Sequence, residues 1–310
     1  MKIVVTGALG HIGSSLIREL PNKFPNSEII MIDNLMTQRY CSLFELPSHG
    51  NYRFIEADVT QIDMLPIFDG AYVVVHLAAI TNAAGSFEQA KQVEMNNFIS
   101  LEKVAEVCLK SKTRLVHLTS TSVYGTQKEV VDENCSEDEL KPQSPYATTK
   151  LKEERLVCKM VKEQGLKAIC CRFGTIFGIS PGMRFHTAVN KFTWQAVMGQ
   201  PLTVWSTAYD QKRPYLDLLD ATHAITFIIN KDIFSGGIYN ILTRNATVRQ
   251  VVETIQEFVP DLQVDFVNNK IMNQLSYEVS CKKFLKEGFN FGGDLRRGIE
   301  ETIDLLRNEN

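Results

Sequence analysis

A phenol and an ammonium stand four residues apart in Ser144-Pro145-Tyr146-Ala147-Thr148-Thr149-Lys150. Ser144 suits a helix N-cap and Pro145 the first helical position, so the spacing predicts Tyr146 and Lys150 on one helix face. A phenol with a pKa of ~10 is a poor base at neutral pH. A neighbouring ammonium stabilises the phenolate and makes it a usable base. Just upstream runs Leu118-Thr119-Ser120-Thr121-Ser122-Val123-Tyr124-Gly125. A hydroxyl from that run can hold the substrate oxygen whose proton moves. The Tyr-x-x-x-Lys spacing alone is frequent by chance, and its bland alternative is an ordinary helix surface. Its meaning depends on what the rest of the chain places beside it.

The amino end supplies a partner for that chemistry. Lys2–Thr6 reads as a short apolar strand, and a helical pattern runs from Ile12 to Leu20. Between them lies Thr6-Gly7-Ala8-Leu9-Gly10-His11-Ile12-Gly13. Of these glycines, one makes the tight turn, one lets backbone approach a pyrophosphate, and one lets helix and strand pack closely. The amides that open the helix, from His11 and Ile12 onward, favour phosphate. Asp33, followed by Asn34, closes the second strand 20 residues after Gly13. A carboxylate there accepts from adenosine ribose hydroxyls and repels a 2′-phosphate, which favours NAD over NADP. Arg39 lies nearby and softens that preference. Asp58-Val59 follows the third strand, and His76-Leu77-Ala78-Ala79 ends the fourth. The small alanines let the chain pass close to a dinucleotide, while His76 reads as a packed, hydrogen-bonded histidine. An oxidised nicotinamide adds its positive charge to that of Lys150 at the Tyr146 phenol.

The elements that must position these residues alternate strand and helix. Strands are predicted at Lys2–Thr6, Glu28–Ile32, Tyr52–Ile55, Tyr72–Leu77, Arg114–Leu118 and Lys167–Arg172. Helices are predicted around Gln89–Cys108 and from Pro145 to Gln164. This rhythm predicts an α/β fold with a Rossmann-type, doubly wound parallel sheet. Ligands then sit at the carboxyl ends of the strands. Residues 1–173 form the dinucleotide-binding unit in this reading, with elements near 220–241 returning to it. Residues 174–310 supply mainly a smaller, interleaved C-terminal substrate-binding cap, with helices at Ala221–Asn230 and Val248–Phe258 and a mixed tail from Ile271 to Leu306. Within the cap, Arg184 and His186 are candidates for meeting substrate.

Composition removes several other classes. A net charge of −3 gives no broad basic field for nucleic acid or acidic membrane. The seven cysteines are odd in number and lack CxxC spacing, which fits reduced thiols and argues against a metal site. The amino end lacks the pattern of a signal peptide, and no apolar stretch is long enough to span a bilayer. A cytoplasmic location is the expectation.

Taken together, the chain resembles the extended short-chain dehydrogenase/reductase superfamily, in its NAD-dependent epimerase/dehydratase family of nucleotide-sugar enzymes. Gly7, Gly10, Gly13, Asp33, Asp58-Val59, His76 to Ala79, Asn97, Ser120 to Gly125, Tyr146 and Lys150 carry the resemblance. Arg172 to Gly178 and Arg213 to Asp217 add to it. The resemblance implies that Tyr146 is the catalytic base, that Lys150 binds the nicotinamide ribose and lowers the tyrosine pKa, and that Ser120 is the catalytic hydroxyl. It implies that Asn97 supports the cofactor site and that Arg213 pairs with the substrate diphosphate.

Two departures refine this. Family 4,6-dehydratases usually carry an acidic pair directly after the catalytic hydroxyl, where this chain has Thr121 and Ser122. Thr175 stands where many members have Asn that contacts substrate. The expectation is therefore a nucleotide-sugar epimerase with retained NAD. A dehydratase, reductase or decarboxylase on the same scaffold is the nearest alternative, and a non-catalytic NAD-binding regulatory protein is the alternative of another class. Family members often dimerise through the two helices at Gln89–Cys108 and Pro145–Gln164, so a homodimer is expected.

Overall fold

Apolar runs of four to seven residues set up the sheet, and period-two alternation assigns their two faces. The computed structural model describes residues 1–81, 90–125, 129–268 and 276–308. In chain order its first half comprises β1 (Lys2–Thr6), α1 (His11–Lys23), β2 (Glu28–Asp33), β3 (Asn51–Glu56), α2 (Leu65–Phe68), β4 (Val73–His76), α3 (Ala90–Ser111), β5 (Arg114–Ser120), β6 (Val130–Val131), α4 (Pro145–Gln164) and β7 (Ala168–Phe173). The second half comprises β8 (Thr175–Phe177), α5 (Ala188–Val197), β9 (Leu202–Trp205), β10 (Lys212–Asp217), α6 (Leu218–Lys231), β11 (Ser235–Ile241), β12 (Arg244–Thr247), α7 (Val248–Phe258), β13 (Val264–Val267), β14 (Glu278–Val279), α8 (Lys282–Lys286) and α9 (Leu295–Asn308). Gln89 and Ile271, which bound two of the expected segments, lie outside the described residues.

The main sheet has seven strands in the order β11-β7-β5-β4-β1-β2-β3, and every pairing in it is parallel. The expected doubly wound sheet is therefore present, with a strand added after β7. Ile3, Val5, Val73, Val75, Val116 and Ile169 face one core with Leu16, Ile17 and Leu20 of α1 and Ile225 and Ile228 of α6. Val4, Val74, Leu115, Ala168 and Cys170 face the other, with Leu101 and Val104 of α3 and Val157 and Met160 of α4. Each fully buried aliphatic side chain contributes about 1.5–3 kcal/mol, so a one-residue slip in any strand would exchange the two cores.

The strand order reverses between β1 and β4, and the crevice at their carboxyl ends is where a doubly wound sheet takes its ligand. A third core, built from Phe177, Val189, Phe192, Tyr215, Val251, Ile255 and Ile299, joins β8, α5, β10, α7 and α9. It carries the segment after β8 back over the crevice. All seven cysteines are free, and burial pushes the thiols of Cys108 and Cys171 above their ordinary range. Among the described residues, no helix is long and apolar enough to cross a membrane.

Candidate active site

The crevice opens into a cleft of about 610 Å³, a size usual for small-molecule sites. Its first end is made of backbone. Gly7 sits at φ +67°, and a Cβ there would come within 2.6 Å of Ala78 N. A Cβ on Gly13 would come within 2.4 Å of Gly7 O. These two positions exclude side chains so that β1, β4 and α1 can converge. Gly10 has more room, a Cβ there standing 3.3 Å from Gly7 O, and with Gly7, His11, Ile12 and Gly13 it lines the cleft at the opening of α1. Leu77, Ala78 and Ala79 line the opposite wall.

Asp33 braces this loop as well as lining the cleft. Its Oδ2 accepts from Leu9 N at 3.0 Å and its Oδ1 from Leu35 N at 2.9 Å. Asn34 donates to Asp58 Oδ2 at 3.3 Å, and Asp58 Oδ1 accepts from Thr60 N and Oγ1, each at 2.7 Å. Burial works against the charged form of Asp58, but the bonds from Thr60 and Asn34 outweigh it and hold its carboxyl below the usual value. Asp33, Asn34, Asp58 and Val59 all line the cleft, with Arg39 beside them. A glycine cradle at a helix opening, next to a strand-end carboxylate, fits a dinucleotide with an unphosphorylated ribose.

The segment 178–184 lies across the glycine loop. His11 Nε2 donates to Gly178 O at 2.8 Å; a carbonyl only accepts, so the proton is on Nε2. Burial brings the pKa of His11 down to about 4, which keeps it neutral. Ser180 Oγ donates to His11 O at 2.9 Å and Gly182 N to Ser14 Oγ at 3.0 Å. A Cβ on Gly182 would meet Leu9 O at 2.3 Å, so only glycine allows this crossing. Arg184 follows, donates to Thr81 Oγ1 and lines the cleft with His186. Burial and the nearby Arg39 bring its pKa down to about 10. Arg184 Nε is buried without a hydrogen-bond partner among the described residues. Two cations held in each other's field make this wall receptive to an anion.

The second end of the cleft is made of side chains. Ser120 is the last residue of β5, and the chain then tightens into a 3₁₀ turn over Thr121–Val123. Ser122 N and Oγ both donate to Ser120 Oγ, at 3.1 and 2.9 Å. A hydroxyl has two acceptor sites and one proton, so Ser120 keeps its proton to donate. On α4, Ser144 Oγ accepts from Ala147 N at 3.1 Å and Pro145 opens the helix, as the sequence predicts. Tyr146 and Lys150 then both line the cleft, with Lys150 Nζ 5.9 Å from the Tyr146 ring centroid. Lys150 Nζ donates to Leu118 O at 3.1 Å and to Glu153 Oε2 at 2.8 Å. Burial raises the Tyr146 phenol, Lys150 and Arg184 pull it down, and the balance leaves it above its ordinary value.

Ser122 and Thr175 also line the cleft, but three expected residues do not. Thr121 turns inward, where its hydroxyl donates to Phe173 O at 3.2 Å. Asn97 lies behind the wall, and its side chain accepts from Ile80 N at 2.8 Å and donates to Ile80 O at 2.9 Å. What Asn97 holds is therefore the backbone after β4. Arg213 sits on β10, donating to Gln211 Oε1 at 2.6 Å with its guanidinium 5.9 Å from the Tyr277 ring. The structure also adds residues that the sequence reading passed over. Thr81 and Asn96 line the cleft with no local signal to mark them. Glu153 and His117 lie behind Lys150; the three-residue step from Lys150 to Glu153 on one helix was a usable signal.

Comparison with known proteins gives a consistent picture. The sequence profile of the NAD dependent epimerase/dehydratase family matches residues 3–241. The trifunctional UDP-glucose 4,6-dehydratase/UDP-4-keto-6-deoxy-D-glucose 3,5-epimerase/UDP-4-keto-L-rhamnose-reductase RHM2 of Arabidopsis thaliana is 27% identical over 318 residues, covering 97% of this chain and 46% of its own length. The chain thus spans about half the length of that relative. The uncharacterized UDP-glucose epimerase YtcB of Bacillus subtilis is 31% identical over 268 residues, covering 83% of this chain and 82% of its own. The crystal structure of UDP-glucuronic acid 4-epimerase from Bacillus cereus, in complex with UDP-glucuronic acid and NAD, shares the fold over the whole of both chains, with TM-score 0.88 and 24% identity.

Proposed function

We propose that this chain, which belongs to the NAD-dependent epimerase/dehydratase family, is a nucleotide-sugar epimerase with Tyr146 as its base. The observation that carries the reading is the make-up of the cleft. Ser120, Ser122, Tyr146 and Lys150 line its chemical end, whereas the carboxylates that line it among the described residues, Asp33 and Asp58, stand at the dinucleotide end. Removing a sugar hydroxyl as water calls for an acid beside the leaving group. Epimerisation calls only for a base, a hydrogen-bond donor and a reversible oxidant.

The residues divide that work. Tyr146 takes the proton of a sugar hydroxyl and later returns it. The Lys150 ammonium stabilises the phenolate in between. Ser120, with its acceptor sites filled by Ser122, donates to the sugar oxygen as it becomes a carbonyl. The glycine loop, Asp33 and Asp58 hold the dinucleotide, and Arg39 and Arg184 offer cations to phosphate. When bound, NAD supplies a hydride acceptor that gives the hydride back, so it acts as a retained catalyst. Inversion would require that the cleft let the keto sugar present its other face while Ser120 and Tyr146 still reach its oxygen.

The test is product analysis by NMR and mass spectrometry after incubation with UDP- and dTDP-hexoses. An isomer of unchanged mass is expected; a product lighter by one water would overturn the assignment in favour of dehydration. Tyr146→Phe should cut turnover on the order of 10²–10⁴-fold and leave NAD bound. Retained turnover in that variant would sink the role given to Tyr146.

A further inference from the structure

Behind Tyr146 and Lys150 lies a buried column of titratable groups that the mechanism above does not use. Glu153 is 1% exposed, and its Oε2 accepts from Lys150 Nζ at 2.8 Å. His117 Nε2, from β5, lies 3.2 Å from the same oxygen. The His117 ring stacks on His76 of β4 with centroids 6.1 Å apart. His76 Nδ1 in turn lies 2.8 Å from Thr6 Oγ1 at the end of β1. Glu153, His117, His76 and Lys150 are all buried, so the charges among them act at low dielectric. Glu153 Oε1 has no hydrogen-bond partner among the described residues. A carboxylate in such a place is expensive for the fold, which calls for a reason other than packing.

Counting protons supplies the reason. An ammonium has three N–H groups. Leu118 O takes one and Glu153 takes another, which leaves one for the cleft that Lys150 lines. We propose that Glu153 is a positioning residue for the Tyr146–Lys150 pair: its buried carboxylate holds Lys150 as an ammonium with one N–H left for the cleft, and damps the field that Lys150 exerts on Tyr146. This rests on the reading of Tyr146 as the base. Its consequence is that Tyr146 stays a phenol until a further positive charge enters the cleft.

The surrounding charges agree. Burial lowers Lys150, but Glu153 and Tyr146 outweigh it and leave it above the ordinary lysine value. Burial raises Glu153, but Lys150 and His117 outweigh it and bring it down to about 2. Burial lowers His117 and His76, which keeps both imidazoles neutral. The other groups in reach are Glu154 on α4, Cys170 on β7 and Arg184 from the crossing segment. Of these, Arg184 pulls the Tyr146 phenol down whereas Glu153 holds it up.

The test reads Tyr146 directly and needs no substrate. Tyrosinate absorbance is followed against pH in the purified protein and in Tyr146→Phe, and the difference isolates Tyr146 from the other tyrosines. In Glu153→Gln, side-chain NMR of labelled lysine should show Lys150 deprotonating at a lower pH than in the wild type, and where Lys150 still carries its charge the Tyr146 midpoint should be lower by about 1–3 pH units; Glu153→Asp should recover part of both shifts. A Lys150 titration that is unmoved, together with a Tyr146 midpoint that is unmoved or raised, overturns the proposal, because a merely structural glutamate would change melting temperature and neither titration. If Glu153→Gln fails to fold, side-chain NMR of labelled lysine in the wild-type protein decides, with Lys150→Arg for assignment. Lys150 should remain an ammonium beyond the ordinary lysine value of ~10.4, and deprotonation below that value overturns the proposal. Loss of the base role itself would show separately, as turnover in Tyr146→Phe.

Discussion

Glu153 and Glu154 are neighbours on α4, both buried and both paired with a cation, yet their surroundings are opposite in kind. Glu154 meets the planar guanidinium of Arg172 through both of its oxygens. Arg172 also donates to Tyr124 Oη at 2.8 Å, Tyr124 donates to Asn240 Oδ1 at 2.9 Å, and Asn240 donates to Ser280 O at 3.0 Å. The result is a closed network that ties α4 to β7, β11 and the chain after β14. Glu153 meets the point charge of Lys150 with one oxygen, and among the described residues its other oxygen has no hydrogen-bond partner and Lys150 donates to Leu118 O and Glu153 alone. A bidentate, fully satisfied pair fixes geometry. A partly satisfied one leaves charge available to a neighbour, and here the neighbour is the Tyr146 phenol. On the proposed reading, adjacent identical residues serve framework and chemistry, according to which face of the helix each occupies.

The strongest way to break this contrast is to truncate the framework side. Glu154→Ala strands the Arg172 charge in the interior and should cost about 3–5 kcal/mol of stability, measured by urea denaturation. The Tyr146 midpoint should not move; if it does, the two glutamates are not separate in function. A smaller effect comes from acid. The folded pKa of His76 is held down to about 3 by burial, against an ordinary ~6.5. The unfolded chain therefore binds the extra proton first as pH falls below ~6.5, and stability declines from there towards pH 3. Between pH 7 and 5 the loss should be about 2 kcal/mol from His76, with His117 adding in the same direction. His76→Asn should remove that share, and an unchanged slope would place the acid sensitivity elsewhere. The smallest expected effect is at Ser122. Ser122→Ala removes one hydroxyl donor to Ser120, worth about 1 kcal/mol, so kcat should fall about fivefold with stability unaltered. No change in kcat would mean that Ser120 is oriented by the backbone amide of Ser122 alone.

Much of the fold and the dinucleotide end was legible in the sequence because their signals are local. Apolar runs and strand–helix rhythm gave the sheet. The spacing of Gly7, Gly10 and Gly13 gave the loop, and Ser144-Pro145 gave the start of α4. Thr121 shows where this stopped. The side chains of Ser120, Thr121 and Ser122 read alike in a linear run, but the 3₁₀ turn after β5 sends Thr121 into the interior and returns Ser122 to the cleft. Arg213 and Arg184 are a second case. Both are arginines in the second half of the chain, and only the crossing of segment 178–184 over the glycine loop decides that Arg184 faces the cleft.

The sequence by itself therefore determined the parallel sheet, the preference for NAD and the placing of Tyr146 and Lys150 on one helix face. Each of these follows from steric or periodic rules that act within a few residues. The tertiary structure alone decided the electrostatic setting of that pair. Glu153 and Arg184 come from separate stretches of chain, the neutral rings of His117 and His76 from two others, and the charges among these groups act strongly only because folding buries them. Spacing along the chain records which groups are present; burial and long-range pairing set how much each one matters.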